Sequence, residues 1–156
     1  MIDALDHLTL RASFREGAVG AYETLLGRRA DDDRLRVSNV GLVIEDDAST
    51  ARLSSMVFAT SSLDKAERLL ERRALAATRR ADALAVSADA THGVPIALIE
   101  IKDKVPPSPL KDSSEAASIT ALDHVVIRTP NPERAIALYA GRLGLDLRLE
   151  IGRAHV

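Results

Sequence analysis

The sequence predicts an α+β protein. Paired βαβββ modules form a cupped mixed sheet with helices on its outer face, and part of a third module follows. Three observations carry this expectation. Residues 4–27 align without a gap onto residues 121–144, and ten of the 24 positions are identical, which marks duplication of a structural unit. Both copies open on an alternating segment and run into a stretch of helical periodicity that stops at a glycine. Between them the segments follow in the order strand, helix, two or three strands, then strand, helix, three strands.

In 5–11, alternation makes a strand with Asp6, Leu8 and Leu10 on one face and His7, Thr9 and Arg11 on the other. Ser13 and Glu16 read as a capping box opening a helix. Ala18, Val19, Tyr22, Leu25 and Leu26 form its inward stripe, and Gly27 ends it. Asp31–Asp33 make a turn before strands over 34–38 and 40–45, and a further strand covers 55–60. The next helix covers 63–73, capped by Ser61 or Ser62, with Ala66, Leu69 and Leu70 inward. Strands over 76–80, 83–88 and 95–101 complete the second module. The third module, 121–150, has a strand, then a helix with Asn131 as cap, Pro132 at its first position and Gly144 as stop, then the beginning of another strand.

The expected organisation is a complete two-module domain over 1–103, a Pro/Ser-rich linker over 104–118, and the start of a second such domain over 119–150. The last six residues, IGRAHV (151–156), are also the translation of ATC-GGA-AGA-GCA-CAC-GTC, which resembles a short-read sequencing adapter; they are expected to be a non-native tail, and His155 is set aside with them. Half a repeat cannot bury its own apolar face. Val125, Ile127, Ile136 and Leu143 are therefore expected to lie exposed, and the partial module to mediate a homodimer or to be poorly ordered.

Composition narrows the function classes. The 156 residues carry 21 Lys plus Arg against 23 Asp plus Glu, so there is no bulk positive field to hold nucleic acid. No cysteine is present, which excludes disulfides, thiolate zinc sites and a cysteine nucleophile. No apolar run reaches the roughly 20 residues of a membrane span. No signal pattern opens the chain, and the expectation is a cytoplasmic protein without nucleic-acid or membrane partners. There is no Gly-rich phosphate loop, no HExxH and no supported Ser/His/Asp triad.

With LDHLTL opening the chain, AYETLLG closing the first helix and THGVPIALIE as the last strand region, the sequence resembles the vicinal oxygen chelate superfamily. That group includes glyoxalase I, extradiol dioxygenases and the fosfomycin- and bleomycin-resistance proteins. The resemblance covers nearly all of 1–150. It implies a cup formed by two modules and, in the enzymes, a divalent metal (Zn, Ni, Mn or Fe) held by first-strand His and last-strand Glu side chains.

Carried over position by position, His7 matches the first-strand ligand, while Val43, Ser55 and Ala97 stand where the other three ligands are expected. Glu45 and Glu100 lie nearby and are read as having the wrong parity. The resemblance thus implies no metal in the first domain. His124 repeats the setting of His7 at the start of the second, whose other ligands would lie beyond this sequence. Arg11 and Arg128 recur on the same strand face as candidates for binding a carboxylate or phosphate, against the commoner reading of a strand-end arginine paired to an acid. His92 is a candidate for substrate contact, against a turn residue capping backbone. Tyr22 and Tyr139 fall on apolar stripes and read as core; Arg72–Arg73, Arg79–Arg80 and Asp31–Asp33 read as solvated surface.

Two functions are implied. The first is a metal-dependent lyase of the glyoxalase type or a ring-cleaving dioxygenase, acting on a small substrate with vicinal oxygens, with activity mainly in the second domain. The second is a metal-free small-molecule binding protein of the bleomycin-resistance type.

Overall fold

The computed structural model describes residues 2–31, 34–48, 52–101 and 119–146. The expected linker over 104–118 and tail over 151–156 lie outside the described residues. The elements run β1 (Ala4–Ala12), α1 (Arg15–Leu26), β2 (Arg34–Arg36), β3 (Gly41–Asp46), β4 (Arg52–Thr60), α2 (Leu63–Arg72), β5 (Thr78–Arg79), β6 (Ala83–Val86), a 3-10 turn (Ala88–Thr91), β7 (Ile96–Glu100) and α3 (Pro132–Ile136). One mixed seven-stranded sheet results, in the order β2-β3-β1-β4-β7-β6-β5. The first strands of the two modules, β1 and β4, pair antiparallel at its centre, and each is flanked by the parallel last strand of its own module. The first module is a trimmed βαββ unit and the second a full βαβββ unit, an open sheet of the α+β class.

Side-chain alternation explains which face takes the helices. Leu8, Leu42, Ile44, Met56, Phe58, Leu84, Val86, Ile96 and Leu98 point to one side and form one buried cluster with Leu26 of α1 and Leu63, Ala66 and Leu70 of α2. Each fully buried aliphatic side chain contributes about 1.5–3 kcal/mol relative to exposure. The opposite face is the inside of the cup.

Helix termini show where local signals hold. Gly27 takes the left-handed conformation (φ 61°) at the end of α1, the freedom that made it the expected stop. Ser62 caps α2 by accepting from the Lys65 amide at 3.4 Å, and Glu100 from β7 accepts from the Leu63 amide at 3.0 Å. Asn131 caps α3, accepting from the Arg134 amide at 3.0 Å. The capping box expected at Ser13 does not form. β1 continues through Ala12, so α1 starts later, with Phe14 at its N-cap and no side-chain cap there. The Asp46 carboxylate at the end of β3 serves instead, accepting from the Arg15 amide at 3.1 Å. Leu25, expected on the inward stripe, is 58% exposed, because α1 packs through Ala18, Val19, Tyr22 and Leu26.

Residues 119–146 do not stand apart. Predicted as a strand, 121–128 joins no ladder; it lies on the helix-bearing face with Val125 and Ile127 turned inward and Val126 exposed. The Ser38 amide donates to Thr120 O at 2.8 Å, and Asn39 bonds both the amide (3.0 Å) and the carbonyl (2.7 Å) of Leu122. At the other end the Arg73 guanidinium donates to Arg142 O, and that of Arg142 to Ala74 O. α3 widens over Ala137–Arg142 into a π-type turn, and Leu138 and Leu143 enter the main core. The expected exposure of Val125, Ile127, Ile136 and Leu143 is therefore corrected: Leu143 is fully buried and the other three partly so. The physical reason is geometric. α1 covers β1–β3 and α2 covers β6–β7, which leaves the apolar seam of β1 and β4 open to the folded-back segment. A cavity of about 370 Å³ remains there, lined by Leu5, Met56, Phe58, Val125, Ile127 and Tyr139 among others. No helix of the described residues is long and apolar enough to cross a membrane.

Candidate functional site

His7 faces the cup, opposite in sense to the buried Leu8. Its Cα partners are Gly41 on β3 and Val57 on β4, while Thr9 lies opposite Val43 and Ser55, and Val57 opposite Ala97. The positions read as replaced ligands therefore share the cup face with His7, beside Thr9 and Val57, and they bring two apolar side chains and one hydroxyl. Gly41 makes room for the imidazole, since a Cβ there would stand 3.1 Å from His7 Cβ. Thr9, Val57 and Ala59 are buried in the cup floor; Val43, Ser55, Ala97 and Ile99 are half-buried.

Asp6 belongs to the site as well. Alternation puts it on the helix side, but the β1–β4 register shifts between Leu5 and His7, so Asp6 is the extra residue of a bulge. Its carboxylate Oδ2 lies 2.6 Å from His7 Nδ1, with the two side chains 10% and 14% exposed. An ionised carboxylate only accepts, so this contact puts a proton on Nδ1, and in the neutral imidazole it leaves Nε2 as the acceptor. The sequence did carry a signal: the Asp-His pair is part of the repeat, and His124 Nδ1 stands 2.8 Å from Asp123 Oδ2.

Glu100 points to the helix side, where it caps α2. Glu45, read as off-parity, shares the face of Val43 and lies opposite Arg11, which corrects that reading. It stands four residues beyond the partner of His7, roughly 13 Å along the strand at about 3.3 Å per residue. Arg11 reaches it at 3.8 Å and Asp47 at 3.1 Å, forming an ion-paired rim to the cup.

The remaining candidates lie elsewhere. His124, with a 70% exposed side chain, and Arg128, also exposed, sit on the segment that folds over the helix-bearing face, so the structure does not bring them to His7. His92 follows the 3-10 turn in a left-handed conformation (φ 59°), with the fully buried Thr91 before it bonded to Ser87 O at 2.9 Å. Tyr139, expected as core, is half-buried; burial raises its pKa above 10.0, and its hydroxyl donates to Thr91 O at 3.2 Å. Among the described residues no group of three or more His, Cys, Asp or Glu side chains is placed to hold a metal ion.

No family model and no curated protein matches the sequence. Solved structures do match. Methylmalonyl-CoA epimerase from Mycobacterium tuberculosis is 18% identical with a TM-score of 0.53, over 66% of this chain and 91% of that one. A Streptomyces coelicolor methylmalonyl-CoA epimerase variant in complex with 2-nitronate-propionyl-CoA is 10% identical (TM-score 0.53; 66% and 100%). A methylmalonyl-CoA epimerase in complex with methylmalonyl-CoA and NH4+ is 12% identical (TM-score 0.53; 70% and 100%). At these identities the likeness shows the fold alone, the arrangement of strands and helices shared with these epimerase structures.

Proposed function

From the vicinal oxygen chelate fold and the residues that line its cup here, we infer that the first unit binds a small organic molecule without a metal. The observation that carries this reading is what shares the cup face with His7: Val43, Ser55 and Ala97 supply one hydroxyl and no carboxylate or imidazole. A divalent metal needs several converging N or O donors, and these residues do not fit one. They fit a ligand with an apolar body against Val57, Ala97 and Ile99, and a hydroxyl or N–H group donating to His7 Nε2. Asp6 holds the imidazole in the tautomer that accepts it. The epimerase structures of the same fold are complexes with 2-nitronate-propionyl-CoA and methylmalonyl-CoA, which supports a small-molecule role for the cup.

The test is an NMR titration of the full chain with a library of small hydroxyl-bearing fragments, and separately with Zn2+ and Ni2+. The expected result is saturable movement of the His7, Ser55 and Ala97 resonances with at least one fragment, abolished in Ala97→Phe, which fills the cup. Stoichiometric Zn2+ or Ni2+ binding that disappears in His7→Ala would refute the reading, as would a library that never reaches His7.

The repeated Asp123–His124 pair favours a second reading for the second unit. His124 there is a metal ligand of a glyoxalase-type lyase or an extradiol-type dioxygenase, which the same metal titration on His124→Ala examines.

A further inference from the structure

Where the folded-back segment meets the 3-10 turn, a second cavity opens that has nothing to do with the cup. It encloses about 340 Å³, and its lining is mainly polar: Asp89 and His92 from the turn, Arg134 and Arg142 from the segment, with Ala137 and Leu138 beneath. The two arginines stand eight residues apart, Arg134 within α3 and Arg142 as the last residue of its π-type extension. We propose that this cavity binds a phosphomonoester, its phosphoryl group held between Arg134 and Arg142.

The walls of the cavity are held in place by other bonds. Tyr139 OH and the buried Thr91 join the segment to the turn, and the Arg142 carbonyl is taken by Arg73. One nitrogen of the Arg142 guanidinium donates to Ala74 O at 3.3 Å, which aims the group and leaves its other N–H donors available. The Arg134 guanidinium has no bonded partner among the described residues, although its backbone amide is used by Asn131.

His92 is the point of backbone strain. A histidine at φ 59° adopts a conformation sparsely populated outside glycine, of the kind held only where surrounding structure enforces it. The enforcement comes from Thr91 and from the Gly93 amide bonded to Ala88 O at 2.8 Å. The result is an imidazole at the cavity wall facing the two arginines.

Charge and size select the ligand class. Two guanidinium forks match a phosphate dianion, whereas a single carboxylate satisfies one of them. Asp89, the acceptor of the lining, repels a bare anion but takes a ligand hydroxyl. The volume exceeds that of a phosphate ion, leaving room for a short hydroxylated chain.

Isothermal titration of the full chain in a phosphate-free buffer, first with inorganic phosphate and then with glycerol 3-phosphate, tests this. Saturable 1:1 binding is expected, tighter for the ester than for phosphate. Arg134→Ala and Arg142→Ala should each weaken it roughly tenfold or more, the cost of losing a charge-assisted bond. Arg134→Lys keeps the charge and loses the fork, so it should recover only part of the affinity. Arg68→Ala, an exposed cation on α2, should change nothing. No saturable binding, an unaffected Arg134→Ala, or an equal loss in Arg68→Ala would overturn the proposal.

Discussion

Replacing Leu143 by alanine asks whether residues 119–146 belong to the cooperative core. Leu143 is fully buried, its amide donates to Leu138 O at 2.8 Å, and Gly144 beyond it (φ 75°) leaves the Arg73 guanidinium only the space that a side chain there would take. Truncating a buried leucine costs about 2–5 kcal/mol, more where the site cannot collapse. Here an apolar cavity of about 370 Å³ already lies under the same segment, lined by Tyr139 and Leu145. Neighbouring side chains thus have room to relax, and the cost falls at the lower end, about 2–3 kcal/mol. Urea m-values of small proteins run about 1–3 kcal/mol/M, so the unfolding midpoint should drop by roughly 1–2 M. Leu98→Ala, at a fully buried position on β7, is the reference, with a loss at least as large. The assay is urea unfolding followed by circular dichroism. If Leu143→Ala stays within about 0.2 M of the parent while Leu98→Ala falls by its full amount, the segment unfolds independently and the reasoning fails.

Three further outcomes follow from the geometry. Removing both Asn39 bonds to Leu122 in Asn39→Ala should cost about 1 kcal/mol and speed proteolysis within 119–146, seen as early loss of that piece on a gel. Gly41→Ala forces a Cβ to within 3.1 Å of His7 Cβ; stability should fall by about 1–3 kcal/mol and the His7 imidazole resonances should move, whereas unchanged resonances would mean the ring has room to spare. Tyr139 titrates above its ordinary 10.0 in the folded state because burial disfavours the phenolate, so its contribution is complete below pH 10 and is lost as the pH rises towards the folded value. Urea midpoints measured from pH 8 to 11 should therefore decline more steeply for the parent than for Tyr139→Phe.

Much of the fold was legible because its determinants are local. Period-two alternation was enough to put His7, Thr9 and Arg11 on one face, while Val43, Ser55 and Ala97 were picked out by the resemblance. Gly27, Ser62, Asn131 and Gly144 signal helix ends through their own backbone and side-chain chemistry. Other features depend on partners distant in the chain. The bulge at Asp6 exists only in the register against β4, so alternation alone sent the carboxylate to the wrong face. α1 is capped by Asp46, a residue 31 positions away that no local motif could reveal. Glu45 is a different case: it lies two residues beyond Val43, so period-two alternation alone makes its shared face with Val43 readable. His92 lies 42 positions before Arg134 and 50 before Arg142, and becomes their neighbour only because the last segment folds back.

The two ends of the sheet carry a consequence of their own. Its outermost strands, β2 and β5, are three and two residues long, and both bear arginines: Arg34 and Arg36 on one, Arg79 on the other. Short, cationic borders of this kind discourage another strand from annealing to them, whether from a neighbouring molecule or from the same chain. Residues 119–146 accord with this: they add no strand at either border, and their apolar side chains settle on the helix-bearing face instead.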